Sequence, residues 1–216
     1  MVDNDFVLTQ EDFDKLSATL REDWMKAEEV LKIVERMKNE AFLPSINELR
    51  YAGRRYVQAE MSYLSKSEND WTIHVHLIEA IENCKKARHD CIDSAINFIH
   101  ERIETTTMLA GYKVVMKKFP HIGDIWKEIE DIDRRIIKSR KDRKNIDDEY
   151  ENIKRTHLKK VVNLYLDFKK TGLDIIADNK KTRNSIIATI TSTVIGALIL
   201  GVTASLIAAF IYDRIK

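Results

Sequence analysis

Six glycines and two prolines are all that 216 residues contain. Nucleotide-binding loops need clustered glycine so that the backbone can approach phosphate, and six scattered ones make no such loop. So little proline and glycine, with a third of the chain charged, belongs to long helices, and no stretch reads as a set of alternating strands. Cysteine is equally scarce. Cys84 and Cys91 lie seven apart, about 10 Å along a helix axis, too far for a mutual disulfide, which needs Cα atoms within about 7 Å. Two reduced, buried thiols are the expectation.

The chain also lacks an excess of either charge. Thirty-six basic side chains face 35 acidic ones, a net charge of +1, which argues against a dedicated nucleic-acid binder. The balance hides a gradient: residues 1–48 carry 12 acidic and 6 basic side chains, whereas residues 120–184 carry 13 acidic and 17 basic.

Catalytic and metal patterns are missing too. No histidine follows a glutamate by three positions, the pairing that di-iron helical bundles use. None of the six histidines has the Arg-x4–6-His spacing found in some helical ribonucleases. His74 and His76 are two apart and point to different sides of a helix. No catalytic residue, metal ligand or cofactor is therefore expected.

What the chain does have is one long apolar run. Ser185 to Tyr212 holds 28 residues and no charge. About 20 apolar residues cross a bilayer core as a helix, so this run is long enough to span with tilt. Lys180, Lys181 and Arg183 precede it, and Asp213, Arg214 and Lys216 follow. Three basic residues against two favour the N-terminal side as cytoplasmic. The start, MVDNDF, lacks the basic and apolar parts of a secretory leader. Thr189, Thr193, Ala197, Gly201, Ser205 and Ala209 recur every four positions, a small-residue face through which two such helices can associate.

The remainder reads as helices. Thr9 with Asp12 resembles a capping box, and Phe13, Leu16, Leu20, Trp24, Ala27, Leu31, Val34 and Met37 follow a three-four rhythm to about Phe42. Ser45 and Glu48 form the clearest capping box; Ile46, Leu49, Gly53, Tyr56, Val57 and Leu64 are then expected to face inward. Residues 65–70 make a turn. A third helix runs from Asp70 to Lys118, with Leu77, Ile81, Cys84, Cys91, Ala95 and Phe98 inward and Arg88 interrupting. Residues 119–123 break it, and Asp124 caps a fourth region. Its seam is Ile125, Ile129, Ile132 and Ile136, then Ile146, Tyr150, Ile153, Val161, Leu164 and Phe168, with the polar stretch 138–145 between. Either one helix runs through or a hairpin turns there; the hairpin is favoured. Gly172 is a natural stop.

The resulting organisation is all-α. Residues 1–8 form a disordered start and residues 9–178 an antiparallel helical bundle with long coiled-coil-like helices. Residues 179–184 are a basic linker carrying Lys180, Lys181 and Arg183 at the membrane surface, residues 185–212 a single transmembrane helix, and residues 213–216 a short tail.

One cluster suggests a ligand. Arg50 and Arg54 share a helix face, Arg55 is adjacent, and Arg88 lies on the next helix. Guanidinium forks suit phosphate or carboxylate, so a small anionic ligand is an expectation there. Pairing with neighbouring carboxylates is the plainer alternative. The layout, a cytoplasmic helical domain followed by one membrane helix, is similar to that of membrane effectors in bacterial antiphage systems, and equally to scaffold and adaptor proteins. The expected function is a membrane-anchored module that oligomerises, contacts lipid and binds a protein partner without enzymatic activity. A membrane-perturbing effector is the alternative.

Overall fold

Thr9 starts the first helix as its sequence implies. Its hydroxyl accepts the Asp12 amide at 3.1 Å, and the Asp12 carboxylate accepts the Thr9 amide at 3.3 Å. Two amides that the helix itself leaves unpaired are thus satisfied reciprocally. The computed structural model describes residues 6–142, 145–172, 174, 175 and 177. Among them the chain is helical, without strands. The elements are α1 (Gln10–Lys38), α2 (Leu43–Ser65), α3 (Asp70–Ala110), α4 (Tyr112–Lys118), α5 (Ile122–Lys141) and α6, which begins at Ile146–Asn152, passes through a π-helical stretch Ile153–Leu158 and continues as α-helix over 159–172.

The chain divides into two compact units. One comprises Met1–Glu104 and Gly123–Tyr165; the other comprises Thr105–Ile122 and the chain from Leu166 on.

In the first unit, α1, α3 and α6 run one way and α2 and α5 the other. Side-chain pairs fix these directions. Glu48 meets Lys86 while Arg55 meets Glu79, so α2 and α3 are antiparallel. Arg135 meets Glu149 at 3.0 Å while His157 meets Glu128, so α5 and α6 form the hairpin that the polar stretch 138–145 favours. The core is a file of fully buried residues along α3, including Ile73, Leu77, Cys84, Ile92, Ile96 and Ile99. The neighbouring seams of α1 (Ala27, Val30, Val34) and α5 (Ile125, Ile129, Ile132) are buried as well. Burying one such side chain stabilises by about 1.5–3 kcal/mol.

Four local expectations change. Ser45 is no cap: α2 already begins at Leu43, with proline in its first turn, and Phe42 at its cap position offers no side-chain bond. The Ser45 hydroxyl instead donates to the Ala87 carbonyl at 2.9 Å and accepts the Cys91 thiol at 3.1 Å. Secondly, α2 turns its small side chains inward. Ser45, Leu49, Ala52, Ala59 and Ser62 are buried, and a Cβ on Gly53 would lie 3.5 Å from the Trp24 ring. Val57 and Leu64, expected inside, are 49% and 76% exposed. A face of small residues lets two helices come close, which leaves the larger apolar positions outside.

Thirdly, the third helix stops at Ala110. Gly111 has φ +83°, a left-handed value that favours glycine, and the chain restarts as α4. Fourthly, the seam of α6 steps by five from Ile153 to Leu158 and then buries Val161, Tyr165 and Phe168 rather than Leu164. The π-helical turn absorbs the extra residue and brings both halves of the seam to one side.

In the second unit, Ala110, Val115, Phe119 and Phe168 are buried, and the Phe119 and Phe168 rings meet edge to face at 5.4 Å. A Cβ on Gly172 would lie 4.0 Å from the Thr106 methyl, so Gly172 sits beside the last turns of α3, and it is no stop: residues 174, 175 and 177 beyond it are helical.

Among the described residues no helix is long and apolar enough to cross a membrane. The run 185–212 lies outside them, and so do Ala197, Gly201, Ser205 and Ala209 and the basic Lys180, Lys181 and Arg183.

Candidate functional site

Arg88 is the most deeply buried charged side chain among the described residues. It falls where the α3 seam asks for an apolar residue, and its side chain is only 3% exposed. A buried guanidinium needs compensating charge. Three carboxylates from two other helices supply it. Its Nη1 lies 3.4 Å from Asp23 of α1 and 3.2 Å from Glu151 of α6, and its Nη2 lies 3.9 Å from Asp147. Lys85 reaches Asp147 at 3.1 Å, and Lys26 lies 4.0 Å from Asp23. These groups line a cavity of about 340 Å³ between α1, α3 and α6. Burial pushes the Asp23 carboxyl up, against the pull of Arg88 and Lys26.

Next to it, His89 Nε2 faces Asp147 at 3.0 Å, and the His89 ring stacks on Tyr150 with centroids 3.9 Å apart. Burial pulls the imidazole down to about 4, Asp147 opposing, so His89 is neutral at pH 7. The Tyr150 hydroxyl donates to Asp93 at 2.9 Å, and Arg140 bonds both. Burial raises the Asp93 carboxyl and the Tyr150 phenol. A third cluster joins α5 to the π-helical stretch: His157 Nδ1 lies 2.6 Å from Glu128, which also holds Lys160. Burial alone would raise Glu128, but the hydrogen bonds from Lys160 and His157 hold its carboxyl below the usual range.

The four arginines expected to form an anion site are not brought together. Arg88 turns toward α1 and α6. Arg55, on α2, puts its Nε 2.8 Å from Glu79 and its Nη1 3.3 Å from His76. Positions 79 and 88 of α3 are nine residues apart, about 13 Å along the axis. Arg50 and Arg54 are exposed on the outer side of α2, Arg50 reaching Asn47 at 3.5 Å. Carboxylates do meet Arg55 and Arg88, but they are Glu79, Asp23, Asp147 and Glu151 rather than Glu48, Glu60, Glu82 or Asp90, the surface partners of the plainer alternative.

Both thiols are buried and free, and burial raises Cys84 to about 12 and Cys91 to about 11. A thiol is nucleophilic as thiolate, so neither is poised for attack. Among the described residues no group of three or more His, Cys, Asp or Glu side chains could hold a metal ion. Chemically, then, the Arg88 centre is a clasp: acids and bases from three helices satisfy one another, and α6 is held to α1 and α3 by directional charge pairs.

The sequence offered Arg88 as an interruption of the seam and as one arginine of the expected anion site, not as a buried partner of α1 and α6. That interruption is itself the available signal, since a buried-face arginine demands acidic partners. No family model matches the chain, and neither do curated proteins or solved structures.

Proposed function

We propose that the chain is a membrane-anchored helical module that self-associates through α2 and carries out no chemistry of its own. The observation that carries this reading is the outer face of α2. Leu43, Val57 and Leu64 recur at multiples of seven, with Met61 between the last two, and they are 63%, 49%, 76% and 66% exposed. Arg50 and Arg54 continue the same face. Heptad-spaced apolar residues with charge in the middle form the seam of a helix–helix interface. A second copy of this chain offers both complements, since it brings its own apolar stripe and a first 48 residues rich in carboxylate.

Anchoring rests on the uncharged 28-residue run and its basic lead-in, Lys180, Lys181 and Arg183. With more basic residues before the run than after it, the bundle faces the cytoplasm. The small-residue row Ala197, Gly201, Ser205 and Ala209 gives a second route to association within the bilayer. A protein partner at the α2 face is the variant of this reading in which Arg50 and Arg54 meet an acidic helix.

The test is the mass of the full chain in detergent, beside a Met61→Glu/Leu64→Glu variant and a chain ending at Asn184. Self-association lost in the double variant alone assigns it to α2. Loss on truncation assigns it to the membrane run. A monomer in every case sinks the reading.

A membrane-perturbing effector is the second reading, favoured by Thr189, Thr193 and Ser205 in the uncharged run, which can line a polar path in an oligomer. Dye uptake and growth arrest on expression support it; healthy, dye-excluding cells with the chain in the membrane exclude it.

A further inference from the structure

The corner between α3 and α4 has the make-up of a membrane-surface element. Met108, Leu109 and Tyr112 are 71%, 61% and 56% exposed, and Met116 is 36% exposed, while their neighbours Ala110 and Val115 are buried. Gly111 turns the chain between them. Residues 105–122 contain Lys113, Lys117 and Lys118 and no carboxylate. The three lysines are exposed. Apolar side chains, an aromatic and lysines on one short exposed element are what an anionic bilayer interface takes up. Water meets such a patch at a cost, and an acidic lipid surface meets both its parts.

The corner also lies close in sequence to the uncharged run. Gly172 lies against Thr106, at the base of the corner. Thirteen positions later the uncharged run begins at Ser185. Thirteen residues reach at most about 45 Å even fully extended, and Lys180, Lys181 and Arg183 fall within them. A patch tethered so closely to a membrane-entering run meets lipid at high effective concentration.

We infer that Met108, Tyr112 and Met116 enter the headgroup layer of an anionic bilayer, with Lys113 and Lys117 on its phosphates. The inference rests on the anchored reading above. It adds a second membrane contact that fixes the second unit against the surface.

The test uses the full chain in vesicles of 70% phosphatidylcholine and 30% phosphatidylglycerol. Tyr112→Cys and, separately, Met108→Cys receive an environment-sensitive fluorophore; Cys84 and Cys91 are fully buried and stay unlabelled. Ile137→Cys, exposed in the first unit, is the control. The expected result is a blue-shifted emission at positions 112 and 108, quenched by lipid that carries a nitroxide near its headgroup, with little change at 137. Lys113→Glu/Lys117→Glu weakens the quenching. If the chain floats with the vesicles but positions 108 and 112 are quenched no more than 137, the inference is overturned and anchoring stands. If the chain does not float, the anchored reading fails and takes the inference with it. A blue shift in detergent that grows with protein concentration, without quenching by lipid, assigns the patch to a second copy and also overturns it.

Discussion

His89 lies flat on Tyr150, with ring centroids 3.9 Å apart and planes inclined by 28°. The contact joins α3 to α6, and burial there keeps the imidazole neutral at pH 7.

Acid should loosen this contact. Unfolded, His89 binds a proton below its ordinary 6.5; folded, it does so only near 4. A depressed value means that stability present above 6.5 is lost as the pH falls toward 4, at up to about 1.4 kcal/mol per pH unit and about 3 kcal/mol in all. Asp23 and Asp93, both raised, act in the opposite sense. Glu128, held below its usual range, acts in the same sense as His89, and His89→Gln removes the His89 part alone. Urea unfolding at pH 6.5 and 4.5 should therefore show a larger acid loss in the wild type than in the variant. Equal losses would remove His89 from the account.

Arg88→Leu should destabilise the first unit by about 3–5 kcal/mol, because it leaves Asp23 and Glu151 without their buried partner. In Arg88→Leu/Asp23→Asn the combined loss should be well below the sum of the single losses, as expected for one network. Denaturant midpoints of the four chains check this. Additive losses would mean that the two residues act independently.

Ser45→Ala and Glu48→Ala distinguish a cap from a core hydrogen bond. A capping box makes both changes costly. In the structure Ser45 bonds Ala87 inside the core, whereas Glu48 holds an exposed Lys86. Ser45→Ala should cost about 1–2 kcal/mol, and Glu48→Ala less than about 1 kcal/mol. Thermal unfolding ranks them, and the reverse ranking would restore the cap.

Removing the exposed Thr156 takes one residue out of the π-helical turn, so the step from Ile153 to the following buried leucine becomes four. Deleting the exposed Asn163 instead throws Tyr165 and Phe168 off the seam. The first deletion should melt closer to the wild type than the second. A lower melting temperature for the Thr156 deletion would mean that the π turn is needed for more than register.

The α1 cap, the α5–α6 hairpin and most of the α1 and α5 seams were legible because each depends on residues three, four or seven apart. Misreadings fell where a partner from elsewhere in the chain decided. Ser45 exchanged a local cap for the Ala87 carbonyl, 42 positions away. Val57 and Leu64 lost the core to Ala52, Ala59 and Ser62, because the distance of closest approach between helices is not written in either helix alone. Arg88 parted from Arg50, Arg54 and Arg55 for the same reason. Periodicity said that Arg88 was inward, but not which helix it would meet.

By itself, then, the sequence determined helix content, the positions of most breaks, the charge balance and the uncharged run, because backbone propensity, capping and hydropathy act over a few residues. Only the tertiary structure decided which face of α2 stays in water, that Arg88 is clasped by Asp23 and Glu151, and that a π turn realigns α6. Those outcomes depend on the relative rotation and register of whole helices. They are set by close packing and by the demand that every buried charge find a partner, and residues more than 60 positions apart settle them together.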